Sequence, residues 1–152
     1  MKNPFYKFDP THETLKDIYI DVSNISSFYR FEVAETGKKN SVITMIDIDN
    51  DPPTITVENS TKYIIECILH FISEDEYQAG INHPFCKFNS CETGVTELHL
   101  NITMINRFTR DVESDHTVIT IDEEDYFVTE TPDEISSIID SFIETEKFGF
   151  KS

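Results

Sequence analysis

Hydrophobic and polar positions alternate with a period of two in two stretches that lie over one another. Ile18, Ile20 and Val22 alternate with Tyr19 and Asp21, and Leu98, Leu100 and Ile102 alternate with His99 and Asn101. This is the period of a strand with one buried face. The match extends from Ile18–Arg30 onto Leu98–Arg110 at a constant offset of 80 residues, with apolar on apolar and Arg30 on Arg110. Further along, Ser41–Met45 lies over Thr117–Ile121 at an offset of 76, the first repeat having a longer loop around Thr36–Asn40. Residues 28–34, 42–48 and 54–58, and then 118–121 and 126–129, are rich in β-branched and aromatic side chains. Three or four antiparallel strands per repeat are expected.

Both repeats then switch to a period of 3.6. Ile64, Cys67, Ile68, Phe71 and Ile72 lie over Ile135, Ile138, Ile139, Phe142 and Ile143, now at an offset of 71, the first repeat also holding the extra turn Asp49–Pro53. Apolar residues at i, i+3, i+4, i+7 and i+8 predict a helix with one greasy face. Thr131 as N-cap, Pro132 in the first turn and Glu134 three residues after the cap form a start signal, and Ser60 caps the first helix. Asp133 and Glu134 suit the positive end of the helix dipole. The stretch 74–94 is polar and turn-rich, with Gly80, Asn82, Pro84 and Gly94, and reads as a linker with room for a short extra element.

The fold class expected is therefore α+β: two tandem antiparallel β-sheet or small-barrel modules, each closed by a C-terminal amphipathic helix. Residues 1–73 form the first β-plus-helix repeat, 74–94 the linker, and 95–152 the second repeat with a C-terminal tail. A unit of this size buries too little apolar surface to be stable alone, so the two are expected to pack as a pseudo-dimer. Whether their sheets merge or stack is left open by the pattern.

Composition adds a constraint on partners. With 38% hydrophobic and 12% aromatic residues the chain can fold despite its charge. Lys and Arg number 12 against 29 Asp and Glu, a formal charge of -17. Polyanions are repelled by such a surface, so neither direct nucleic-acid nor membrane contact is expected; a basic protein partner, a metal ion or plain solubility fits better, and a solvated acidic surface is the reading preferred. The opening MKNPFYKFDP has no apolar core of signal-peptide length, and nowhere do 18 apolar residues run together. The expected location is the cytoplasm of the producing cell. Three cysteines at no framework spacing fit a reducing compartment.

Candidate chemistry is sparse. Asp47, Asp49, Asp51 and Glu58 stand at positions 1, 3, 5 and 12 of a calcium loop, but Pro52 occupies the position that needs Gly and the flanks read as strands. An exposed acidic turn is the reading preferred, with Asp122–Asp125 as its counterpart. His83, Cys86 and Cys91, with His70 or His99 as a fourth group, are zinc-ligand types without a paired-Cys spacing, and are read as ordinary loop side chains. Cys67 falls where the second repeat has Ile138 and belongs to the core. No nucleophile elbow, phosphate-cradling Gly-rich loop, metalloprotease helix or redox pair is present, so no cofactor and no enzymatic activity are expected. Both ends are aromatic and basic on an acidic body: Phe5, Tyr6, Lys7 and Phe8 at one, Lys147, Phe148, Phe150 and Lys151 at the other. These are candidate docking arms.

The second repeat, from Glu97 to Ile139, resembles a small module of Bacteroidetes-type bacteria and their phages, related in pattern to the flagellar FlbD-like family. The residues that carry the resemblance are the strand Leu98–Ile102, the turn Ile105-Asn106, the hairpin Thr117–Asp122, and Val128-Thr-Glu-Thr131 leading into the helix from Pro132. Family members have a Gly in the hairpin where this chain reads Glu123-Glu124. The resemblance implies a structural or assembly role in a phage particle, as a capsid, neck or tail subunit. Other virion or assembly proteins, and further copies of the same chain, would be the partners. The charge alone suggests an alternative, an acidic inhibitor or immunity-type protein that blocks a basic nucleic-acid-binding enzyme by mimicking its polyanion.

Overall fold

The computed structural model describes residues 3–46, 54–75 and 83–150. Among them the first half forms β1 (Phe5–Phe8), β2 (Ile18–Asp21), β3 (Ile25–Glu32), β4 (Lys39–Met45), β5 (Thr54–Val57) and helix α1 (Thr61–Asp75). The second half repeats the series as β6 (Phe85–Phe88), β7 (Val95–Asn101), β8 (Ile105–Arg110), β9 (Thr117–Ile121), β10 (Glu124–Val128) and helix α2 (Pro132–Phe150). Each half thus gains a strand at its start beyond the three or four expected. The gained strand β6 lies inside the stretch 74–94 expected as a linker, where it pairs with β7 and buries Phe85 and Phe88. Its sequence, Pro84-Phe-Cys-Lys-Phe88, lies over Pro4-Phe-Tyr-Lys-Phe8 at the offset of 80 already seen.

Short-range chemistry is shared between the halves. After β2 the chain makes one turn of 3-10 helix at Val22–Asn24, where the Asp21 carboxylate accepts from the Ser23 N–H at 2.9 Å. After β7 it does so again at Ile102–Met104, where Asn101 accepts from the Thr103 N–H at 3.1 Å. Short polar side chains do this because they reach the free amides of a turn. The Ser41 hydroxyl donates to the Asn59 carbonyl at 2.6 Å, and the Thr117 hydroxyl to the Glu130 carbonyl. The Glu58 N–H donates to the Asp9 carbonyl at 2.8 Å, and the Thr129 N–H to that of Asn89 at 2.9 Å. Each pair of bonds joins corresponding positions.

Among the described residues all sheets are antiparallel. The largest has five strands in the order β5-β4-β3-β7-β6, so that β3 of the first half joins β7 of the second, with Ser27 opposite Leu100 and Phe28 opposite His99. A two-stranded sheet β1-β2 and a three-stranded sheet β10-β9-β8 complete the set.

Alternation sends the two faces of the five-stranded sheet into two cores. Phe28, Ile43 and Phe85 join Phe8, Ile20, Val57 and, from α1, Ile64 and Ile68 in the first. Leu98, Leu100 and Phe88 join Ile119, Val128 and, from α2, Ile135 in the second, with Tyr29 of the first half packed against them. Each core therefore takes side chains from both halves. The capping box forms as expected at α2: the Glu134 N–H donates to Thr131 Oγ1 at 3.2 Å and the Thr131 N–H to Glu134 Oε1 at 3.0 Å. The Thr131 N–H bond to the carboxylate, followed by the Thr131 hydroxyl, holds Glu134 below the usual carboxylate range. Between β9 and β10, Asp122 and Glu123 both take positive φ, 47° and 70°, the conformation of a two-residue hairpin turn whose twist matches the strands.

Candidate interaction site

The N-terminal residues singled out as a docking arm are instead a structural strand. Phe8 is fully buried in the first core, 0% exposed, and its ring meets Tyr63 edge-on at 5.4 Å. Tyr6 packs on the same core, its hydroxyl 2.7 Å from His70 Nδ1. Lys7 pairs with Asp17 at 3.5 Å, and Phe5 is half exposed. An FYKF tetrapeptide puts Tyr6 and Phe8 on one face of a strand, and that face is core. At the other end Lys147, Phe148 and Phe150 continue α2, but their side chains, and Lys151 altogether, lie outside the described residues.

Asp47, Asp49 and Asp51 also lie outside the described residues, whereas Glu58 accepts from Lys38 at 3.1 Å. The zinc-type residues do not converge. Cys86 packs on the second core, while His99 stacks on Phe28 of the first at 4.8 Å, so the two leave opposite faces of the shared sheet. His83 lies beside Phe85. Among the described residues no group of three or more His, Cys, Asp or Glu side chains is placed to hold a metal ion. Cys67 is buried in the first core, as its position over Ile138 predicts.

What the structure adds is a cleft of about 590 Å³ where β10 passes over the second face of the shared sheet. Its floor is Tyr29, Val42, Thr44 and Thr54 from the first half, and its wall is Tyr126, with Cys91, Glu92 and Glu124 at the sides. Tyr126 is held by a hydroxyl-to-hydroxyl bond with Ser27, and burial raises its phenol above the usual range. The Tyr29 phenol is raised by burial and then by the Glu92 carboxylate. Burial, with the Glu130 charge added, likewise raises the Cys91 thiol. A raised thiol is a weak nucleophile, since the thiolate is the reactive form. The cleft offers hydroxyls, aromatic faces, carboxylates and the His116 imidazole, and among the described residues no Lys or Arg lines it. Its chemistry suits a cationic group better than an anion.

Sequence periodicity missed this cleft because the residues that give it its chemistry are not repeated, although Val42 and Thr44 of its floor recur as Val118 and Thr120: Tyr126 lies over Ile55, and Cys91 over Thr11. Departures from an otherwise faithful repeat were the available signal. The chain finds no match among protein families, curated proteins or solved structures.

Proposed function

We propose that this protein is a non-enzymatic structural or assembly subunit acting through protein–protein contacts. One observation carries the reading: what the two halves have in common is scaffold. The recurrent bonds are turn caps, hydroxyl clamps and strand anchors, whereas the titratable groups around the cleft occur in one half only. On the same reading the halves form a pseudo-dimer. Replacing each strand by its counterpart turns the order β5-β4-β3-β7-β6 into β10-β9-β8-β2-β1, and the two smaller sheets are the two pieces of that series.

The setting implied by the resemblance is a phage particle, with the protein made in the cytoplasm and carried into a capsid, neck or tail. Mass spectrometry of purified particles, together with the mass of the protein in solution, tests this. Recovery in particles at a fixed stoichiometry is expected; absence from every particle removes the virion setting.

A second reading is favoured by the cleft. Glu92, Glu124 and Asp125 around two tyrosines, on a chain of charge -17, suit an inhibitor that receives a basic segment of an enzyme. Binding to one basic partner, weakened steeply by added salt, is its expected signature.

A further inference from the structure

Strands β2 and β8 leave open the junction that their counterparts β7 and β3 close. The closed junction is well defined: Phe28 lies opposite His99 and Ser27 opposite Leu100, and the register shifts before Arg30 meets Thr96. The shift falls at Glu97, whose φ is 50°, a bulge residue in the left-handed region. Asp17 is the counterpart of Glu97 and takes φ 56°, although among the described residues no strand is paired with β2 on that side. A non-Gly residue is uncommon in this conformation, so β2 carries the shape needed for a partner strand that no described strand supplies.

The open edges also expose the residues that the closed junction buries. His99 is 8% exposed and stacked on Phe28, whereas its counterpart Tyr19 is 60% exposed. Phe108, the counterpart of Phe28, is only half-buried. Leu15, over the half-buried Val95, is 50% exposed.

Backbone direction can be followed on both strands. The Asp111 N–H donates to the His116 carbonyl, so Asp111 faces β9, and alternation turns the amides of Phe108 and Arg110 outward. The Val22 N–H donates to the Pro4 carbonyl, so Val22 and Ile20 face β1, and the amide of Tyr19 points outward.

We infer that β8 of one molecule pairs with β2 of a second copy, in the register of the β3–β7 junction. Phe108 then lies opposite Tyr19, and Arg107 opposite Ile20. Arg110 falls opposite Lys16, with its guanidinium already engaged by Asp115. The template for the occupant is inside the chain: a strand of the β3 type already joins one of the β2 type across its two halves. In a two-fold dimer both junctions form at once, each completing a five-stranded sheet β10-β9-β8-β2-β1. The pairing hides two unsatisfied edges and the aromatic groups on them. It rests on the assembly reading and specifies its partner and surface.

Sedimentation of the full chain over a wide concentration range tests the inference. A reversible dimer is expected, and Tyr19→Pro and Arg110→Pro, each removing an outward N–H from an edge, should raise its dissociation constant roughly tenfold or more. Circular dichroism of both variants should match the parent. A strictly monomeric parent, or a dimer indifferent to both prolines, overturns the inference. For geometry, equal amounts of the single variants Tyr19→Cys and Phe108→Cys are mixed and oxidised. A covalent heterodimer supports the pairing. If instead the doubly substituted chain cross-links only within itself, the edges close on each other in one molecule and the second copy is excluded. The two readings fail separately, because a monomer recovered in particles ends the self-pairing alone, and a dimer absent from them ends the virion setting alone.

Discussion

His99 stacks between strands against Phe28, with Nδ1 2.8 Å from the Glu97 carbonyl. Burial, the largest influence, makes its imidazole harder to protonate than in water, and burial does the same to His83. The unfolded chain, whose histidines titrate near the ordinary value of 6.5, therefore takes up protons first as the pH falls. The stability these groups contribute is present above that value and is lost as pH drops through the depressed folded-state value. Urea midpoints should fall between about pH 7 and pH 5, and His99→Gln should flatten the dependence. An unchanged slope in the variant would assign the effect elsewhere. At Tyr126, replacement by Phe leaves the buried Ser27 hydroxyl without its partner. A loss of about 1–2 kcal/mol is expected, read from the shift in urea midpoint.

Elements differ in how openly the sequence displays them. The helices were legible because their period, their apolar face and the Thr131–Glu134 box are all local, and Thr131→Ala should cost about 1 kcal/mol in thermal or urea unfolding. The strands β2 and β7 were legible for the same reason. β1 was not, because four residues that alternate exposed and buried, with a lysine among them, look like a greasy tail until their recurrence at 85–88 is noticed. The cleft was hidden more deeply. Tyr29 and Tyr126 are distant in sequence and meet only because β3 joins β7, a pairing that periodicity cannot specify. The open edges were hidden in the same way, since exposure of Tyr19 has meaning only beside burial of His99.

At the scale of the molecule the governing feature is the sheet whose two faces belong to different cores. Ile43 and Ile119 occupy corresponding positions, one in each core, and both are fully buried. Ile43→Ala and Ile119→Ala should each cost about 2–5 kcal/mol by calorimetry or urea titration. Each should also move one common transition rather than split it in two, because neither core can melt without stripping a face from strands the other depends on. The consequence reaches into the chain's history as well. Because one sheet serves both cores, a substitution accepted at Phe28 or Leu100 has had to satisfy both neighbourhoods at once.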